Sequence, residues 1–290
     1  MGDYFRRNLS VYTFSPDESW AILSPIAREV KRKVEANGVP LSEWGVEIYR
    51  GILTGRNDVF VISGETRDAI LGSCFTEDER IRTAEIIRPI LRGRDVKKYA
   101  CDFADKWLIN THNGIKEKGV SRIIIDDYPS LKQYLDKHIE KITKRTDKGD
   151  TVYNLRNCAY MDNFSRPKIV WKRIGSKMRF CIDYSKMLSL DSTCFLVGGN
   201  LDFLNCFFNS KIGSYMLQGS PTTGTGDLLI SVQAINPLCV PIPNEGQNKV
   251  FSDLSSRIVG GDSAAIVEAN NFLYEMFGFT KDEKERIEQG

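Results

Sequence analysis

The 290-residue sequence has two histidines, no C-x-x-C pair, no Pro-Pro dipeptide and no long apolar run. Each absence removes a class of chemistry. With only His112 and His138 as imidazole donors and seven scattered cysteines, a structural zinc site is not expected. The odd cysteine count reads instead as reduced thiols in a cytoplasmic protein. No stretch reaches the roughly 20 apolar residues of a membrane span, and the polar start MGDYFRRNLS lacks a signal-peptide pattern, so no membrane partner is expected. One-sided charge is missing too. Forty basic against thirty-eight acidic residues leave a formal +2, so any surface for a polyanion must come from local segregation. Apolar content is ample at 41%, enough for a packed core in one large or two ordinary domains.

Local segregation is found in FSRPKIVWKRIGSKMRF, residues 164–180, which carries six basic side chains and no acidic one. Gly175-Ser176 suits a two-residue type II′ turn, which predicts a hairpin. In its second strand Met178, Phe180 and Ile182 alternate with Arg179 and Cys181. The first strand is less regular, because Ile169, Val170 and Trp171 run together. A hairpin surrounded by Lys168, Lys172, Arg173, Lys177 and Arg179 can neutralise phosphates or reach base edges in a major groove. The same residues also describe a solvated edge strand guarded by lysines.

Elsewhere the sequence predicts many short elements. Trp20, Leu23, Ala27, Val30 and Val34 form one stripe of a helix over 15–37, with Ser15 and Glu18 as a capping box and Pro16 at the first position. Strands are expected at 46–51, 58–63, 107–111, 122–126 and 193–198, and in LLISV and CVPI. Residues 64–87 read as helical. Pro129 opens a helix with Leu131, Leu135, His138 and Ile142 on one face, which makes His138 a packing residue. Two short helices are expected within 201–217, then a Gly/Thr/Ser-rich loop at 219–226. A helical C terminus follows Pro243, with Gly278 as a stop and Thr280 and Glu283 capping a last helix. Without regular strand-helix alternation the class is α+β, a curved mixed or antiparallel sheet flanked by helices.

Motifs for chemistry fail one by one. Asp17, Glu29 and Lys31 match a metal-dependent nuclease pattern, but on one helix Asp17 and Glu29 would stand about 18 Å apart, too far for one cation. Residues 219–225 have P-loop glycine spacing without its lysine, although amides around Thr222 and Thr223 can still meet a DNA phosphate. His112 sits in a turn. Amino-group DNA methyltransferases hold the target amine with [N/D/S]-P-P-[Y/F/W], and none of the ten prolines is followed by another.

Several ordered segments nevertheless resemble one family. They are Gly51-Ile-Leu-Thr-Gly55 with Asn57 and Phe60, then Arg88 through Tyr99 including Arg94-Asp95, then Trp107-Leu-Ile-Asn-Thr and Tyr128-Pro129. Arg156 ahead of Phe164-Ser-Arg-Pro167-Lys168 follows, then Val240-Pro-Ile-Pro243 and Leu273 through Glu283. Together they resemble the TaqI-like C-terminal specificity region of type IIG restriction-modification enzymes and adenine-specific DNA methyltransferases. That resemblance implies a DNA target-recognition domain over 41–244, between an N-terminal docking helix (1–40) and a C-terminal helical segment (245–290). It implies double-stranded DNA as ligand, with Arg156, Lys168, Lys172, Arg173, Lys177, Arg179, Thr222 and Thr223 as contacts. It also implies a catalytic methyltransferase or endonuclease partner, in cis or in trans, that supplies the S-adenosylmethionine and magnesium sites. No catalytic residue and no cofactor are assigned to this chain, which reads as an excised fragment or a separate specificity subunit. The alternative is a protein-interaction module docking through its helical ends.

Overall fold

The computed structural model describes residues 24–36 and 38–289. Trp20, Leu23, Asp17 and the proposed Ser15 cap lie outside them. The helix that is described runs Pro25–Glu35, and Ser24 caps it with an extended backbone, its hydroxyl accepting from the Ala27 amide at 3.2 Å. A single helix through 15–37 is therefore not formed, because a cap of this kind starts a helix.

Twelve strands follow: β1 (Val39–Pro40), β2 (Glu47–Arg50), β3 (Val61–Ser63), β4 (Ile87–Leu91), β5 (Lys106–Ile109), β6 (Lys168–Lys172), β7 (Ile174–Gly175), β8 (Phe180–Asp183), β9 (Leu188–Ser189), β10 (Thr193–Val197), β11 (Leu228–Leu229) and β12 (Cys239–Val240). They make a four-stranded antiparallel sheet of order β2-β10-β6-β8, a second of order β3-β5-β4-β9, and two small pairs, β1-β12 and β11-β7. The β4-β9 pairing is parallel. With helices around these sheets, the class is α+β, as expected.

The first sheet is covered on both faces. Ile169, Trp171, Phe180, Cys194 and Leu196 enter one core with the helices Leu201–Asn209, Glu245–Val259 and Ser263–Met276. Val170, Cys181, Phe195 and Val197 enter another with the second sheet. Successive side chains alternate faces, so a strand buried on both reads as a continuous apolar run. This explains the irregular Ile169-Val170-Trp171. The same packing fixes the terminal helices: Ala27, Val30, Val34 and Leu273 are all fully buried in the first core. The described part of the N-terminal stripe thus packs on its own sheet.

Some expected strands are not strands. Residues 122–126 have no strand neighbour and end in a 3-10 turn, Ile125–Asp127, while the Ile123 carbonyl accepts from the Asn154 amide at 2.9 Å. In 58–63 only β3 is extended. Thr54 bonds Asn57 at 2.5 Å and the Arg56 amide at 3.1 Å, which turns Asn57–Phe60 into helix. In LLISV only β11 is extended, and Val232–Ile235 is a helical turn. The 129–142 helix is broken into Pro129–Asp136 and Ile139–Thr143, with His138 half-buried at the break and edge-on to Tyr134. Cys101 and Cys181 form a disulfide, so the expectation of reduced thiols throughout does not hold; they are 80 positions apart, beyond any local spacing rule.

Candidate nucleic-acid interface

The hairpin exists, in the register that a turn at Gly175-Ser176 would set: Lys168 faces Asp183 and Trp171 faces Phe180. Its tip is not a tight turn. Ile174 and Gly175 leave β8 and pair with Leu229 and Leu228, and the Trp171 indole donates to the Ile230 carbonyl at 2.9 Å. The Ile230 amide in turn donates to the Arg173 carbonyl at 2.8 Å. The 219–230 segment is thereby stitched to the tip. Within it Thr222 bridges Leu228, and the Thr223 amide donates to Asp227 at 2.8 Å. Gly226 at φ +83° completes this small turn, a conformation that favours glycine.

Six of the expected contacts are gathered here. Lys172, Lys177 and Arg179 are exposed on the hairpin, Arg173 is half-buried, and Thr222 and Thr223 stand on the adjoining loop. The Arg173 Nε is buried without an acceptor among the described residues. Lys168 is different. It is fully buried, its ammonium 2.5 Å from the Asp183 carboxylate and 2.8 Å from the Phe164 carbonyl. Burial holds its pKa below the usual lysine value despite the pull of Asp183. Lys168 is thus half of a core ion pair and not a surface cation, because the strand is covered on both faces from Lys168 to Trp171 and emerges only at Lys172.

Arg156 is exposed and paired with Asp147 at 3.0 Å. It lines a cavity of about 320 Å³ with Arg50, Gly51 and Tyr160. This cavity sits at the same end of the sheet as the hairpin tip: β2 and β6 both pair antiparallel with β10, and Arg50 and Trp171 both face Cys194. Arg50 reaches Asp191 at 3.3 Å, and its Nε is buried without an acceptor among the described residues.

Two residues escaped the sequence reading. Arg50 looked like an ordinary strand residue, and no local signal marks it. Arg94 was grouped with Asp95, but Asp95 is held by both Arg92 nitrogens at 2.8 Å and by the Arg92 amide at 2.8 Å, which leaves Arg94 exposed. Gly93 fixes where this segment lies. A Cβ there would fall 2.9 Å from Lys172 Cγ, and its amide donates to the Ser192 hydroxyl at 3.0 Å. Among the described residues the side chains of Arg94, Lys172, Lys177 and Arg179 have no ion-pair partner. Such an array can bind phosphates, and its arginines can make bidentate contacts to guanine.

Comparison with known proteins bears on this region. Residues 88–224 match the TaqI-like C-terminal specificity domain. The chain is 23% identical over 259 residues to the type II methyltransferase M.BstVI of Geobacillus stearothermophilus, covering 85% of this chain and 43% of that protein. It therefore spans less than half the length of this curated relative. Among solved structures, the type IIL restriction-modification enzyme MmeI in complex with DNA superposes at TM-score 0.60 with 12% identity, over 95% of this chain and 36% of that one. The type IIG restriction endonuclease BpuSI gives 0.47 with 13% identity, over 88% and 33%. At 12% identity the likeness to MmeI speaks for the fold alone. The match over 88–224 spans Arg94, Arg156, the whole hairpin and the loop with Thr222 and Thr223, so the basic cluster lies within the stretch that is similar to the TaqI-like C-terminal specificity domain.

Proposed function

We propose that this chain selects the DNA sequence on which a type II restriction-modification enzyme acts, with the sheet end around the hairpin tip as its reading surface. The observation that carries this is the collection of Arg94, Lys172, Lys177 and Arg179, cations without ion-pair partners among the described residues, within the matched stretch 88–224. In this reading Arg173 and Arg179 approach base edges. Lys172, Lys177, Arg156 and the Thr222 and Thr223 hydroxyls hold phosphates. Lys168 takes no part.

The methyl donor and magnesium belong, in the same proposal, to a catalytic domain joined in cis or supplied in trans. Neither the amine-holding motif nor the Gly-rich loop of this chain fits that chemistry. No proline pair exists for the amine-holding tetrapeptide, and 219–226 is a turn against β7 and not a strand-to-helix junction. The protein-interaction alternative loses its main support, because Ala27, Val30, Val34 and Leu273 are spent on the internal core.

Selection of bound duplexes from a random pool tests the reading. A shared sequence should emerge, and log K for it should fall linearly with log salt. A pool that stays random, or binding indifferent to salt, overturns the proposal.

A further inference from the structure

A second cationic recess lies behind the hairpin tip. Lys98, Lys177 and Lys211 line a cavity of about 460 Å³ with Ser176, Ser214 and Glu288. The three lysines come from separate parts of the chain: the segment after Arg94-Asp95, the hairpin tip, and the first residue of the helix Lys211–Leu217. None has an ion-pair partner among the described residues. Burial lowers the Lys98 pKa, Glu288 opposes that shift, and repulsion from Lys211 adds to it. The single carboxylate, Glu288, is already engaged by the Tyr274 hydroxyl at 2.7 Å. Lys98 and Lys211 repel each other across this lining, an anion held between them relieves that repulsion, and the serine hydroxyls can complete its hydrogen bonds.

We propose that this recess holds a backbone phosphodiester of the bound DNA, flanking the sequence that is read. The inference rests on the DNA-recognition reading above. Lys177 belongs to both surfaces, so a strand leaving the hairpin tip can continue into the recess. The contact is to phosphate alone, so it raises affinity for every sequence and discriminates none.

The full chain carrying Lys98→Gln with Lys211→Gln is compared with the unaltered chain on a short duplex and on the same duplex extended at both ends. The lost contacts should make the log K against log salt slope on the long duplex shallower by about 0.9 per phosphate, by the same amount for any sequence, with little change on the short one. Glu288→Gln should act in the opposite direction and tighten binding, a sign that mere structural damage cannot produce. An unchanged slope and affinity in the lysine variant, while Lys172→Ala with Arg173→Ala still weakens binding, overturns the recess and leaves the recognition reading standing. Absence of salt-dependent binding by the unaltered chain overturns both. A melting temperature raised by inorganic phosphate in the unaltered chain but not in the lysine variant, without any effect on DNA binding, would make the recess a small-anion site and overturn the assignment.

Discussion

Lys168 shows how charge alone misleads. In the sequence it is one of six basic residues in a row of seventeen; in the fold it neutralises Asp183, which also accepts from the Ser185 and Met187 amides at 2.8 and 3.0 Å. Removing the ammonium leaves a buried carboxylate without its counter-ion, which costs about 3–5 kcal/mol. Lys168→Met should therefore lower the urea midpoint strongly, and Asp183→Asn added to it should recover part of the loss. DNA affinity per folded molecule should not change; a loss of affinity at full stability would return Lys168 to the binding surface. Gly55 was legible, by contrast. A glycine in the polar stretch Thr54-Gly55-Arg56-Asn57 suits a turn with positive φ; its φ is +70°, and a Cβ would also approach the Asp147 carbonyl at 2.9 Å. Gly55→Ala should cost about 1–2 kcal/mol, read as a lower melting temperature with DNA affinity per folded molecule intact.

At the scale of elements, the hairpin separates what local pattern can and cannot tell. Its register followed from Gly175-Ser176, but the parting of the tip did not, because Ile174 and Gly175 find their partners more than fifty residues away in β11. Expected strands form where a long-range neighbour exists, as for β2 and β10, and not at 122–126, where the apolar run has none. Alternation itself was obscured in β6 and β10 by burial on both faces. The candidate site was legible as a cluster of basic residues, and the joining of hairpin and loop through Trp171 and Ile230 was not. That joining makes a prediction about roles. Lys172→Ala should weaken all duplexes alike, whereas Arg173→Ala should narrow the gap between target and random duplex by about 1–3 kcal/mol if its guanidinium meets a guanine. Equal affinities before and after both substitutions, on target and random duplexes, would remove the hairpin from the DNA surface.

At the scale of the molecule, the two ends of the described chain meet. The Lys33 ammonium donates to Glu283 at 2.7 Å and to the Gly278 carbonyl at 2.9 Å. First Lys33, then the Thr280 amide, hold the Glu283 carboxyl at about 2, below its ordinary 4.5. A depressed carboxylate pKa stabilises the folded state above the unfolded value and loses that contribution as pH falls from about 4.5 towards 2. Glu283→Gln should then be less stable than the unaltered chain near neutral pH, by about 1–2 kcal/mol after allowance for solvent screening. The gap should close by the acid end of that window. A gap that is constant with pH would mean that the hydrogen-bonding pattern of the side chain, and not its charge, is what matters.

This closure also bears on the segment boundaries expected near residues 40 and 244. Ala27, Val30 and Val34 from the first described helix share one core with Phe203 and Phe207, and with Phe251, Leu254, Leu273 and Phe277 from the C-terminal segment. Cutting at those boundaries would uncover the apolar face of Leu201–Asn209 and one side of the central sheet. Each large side chain returned to water costs about 1.5–3 kcal/mol, and several such losses exceed the 5–15 kcal/mol that a domain has in hand. A 41–244 piece should therefore be unfolded or aggregated, while the full chain unfolds in a single transition followed identically by fluorescence and circular dichroism. Glu substituted for Leu273 should have the same effect as the truncation, since that side chain is fully buried. A soluble 41–244 piece with the full chain's DNA affinity would show that the helical ends belong to a separate unit.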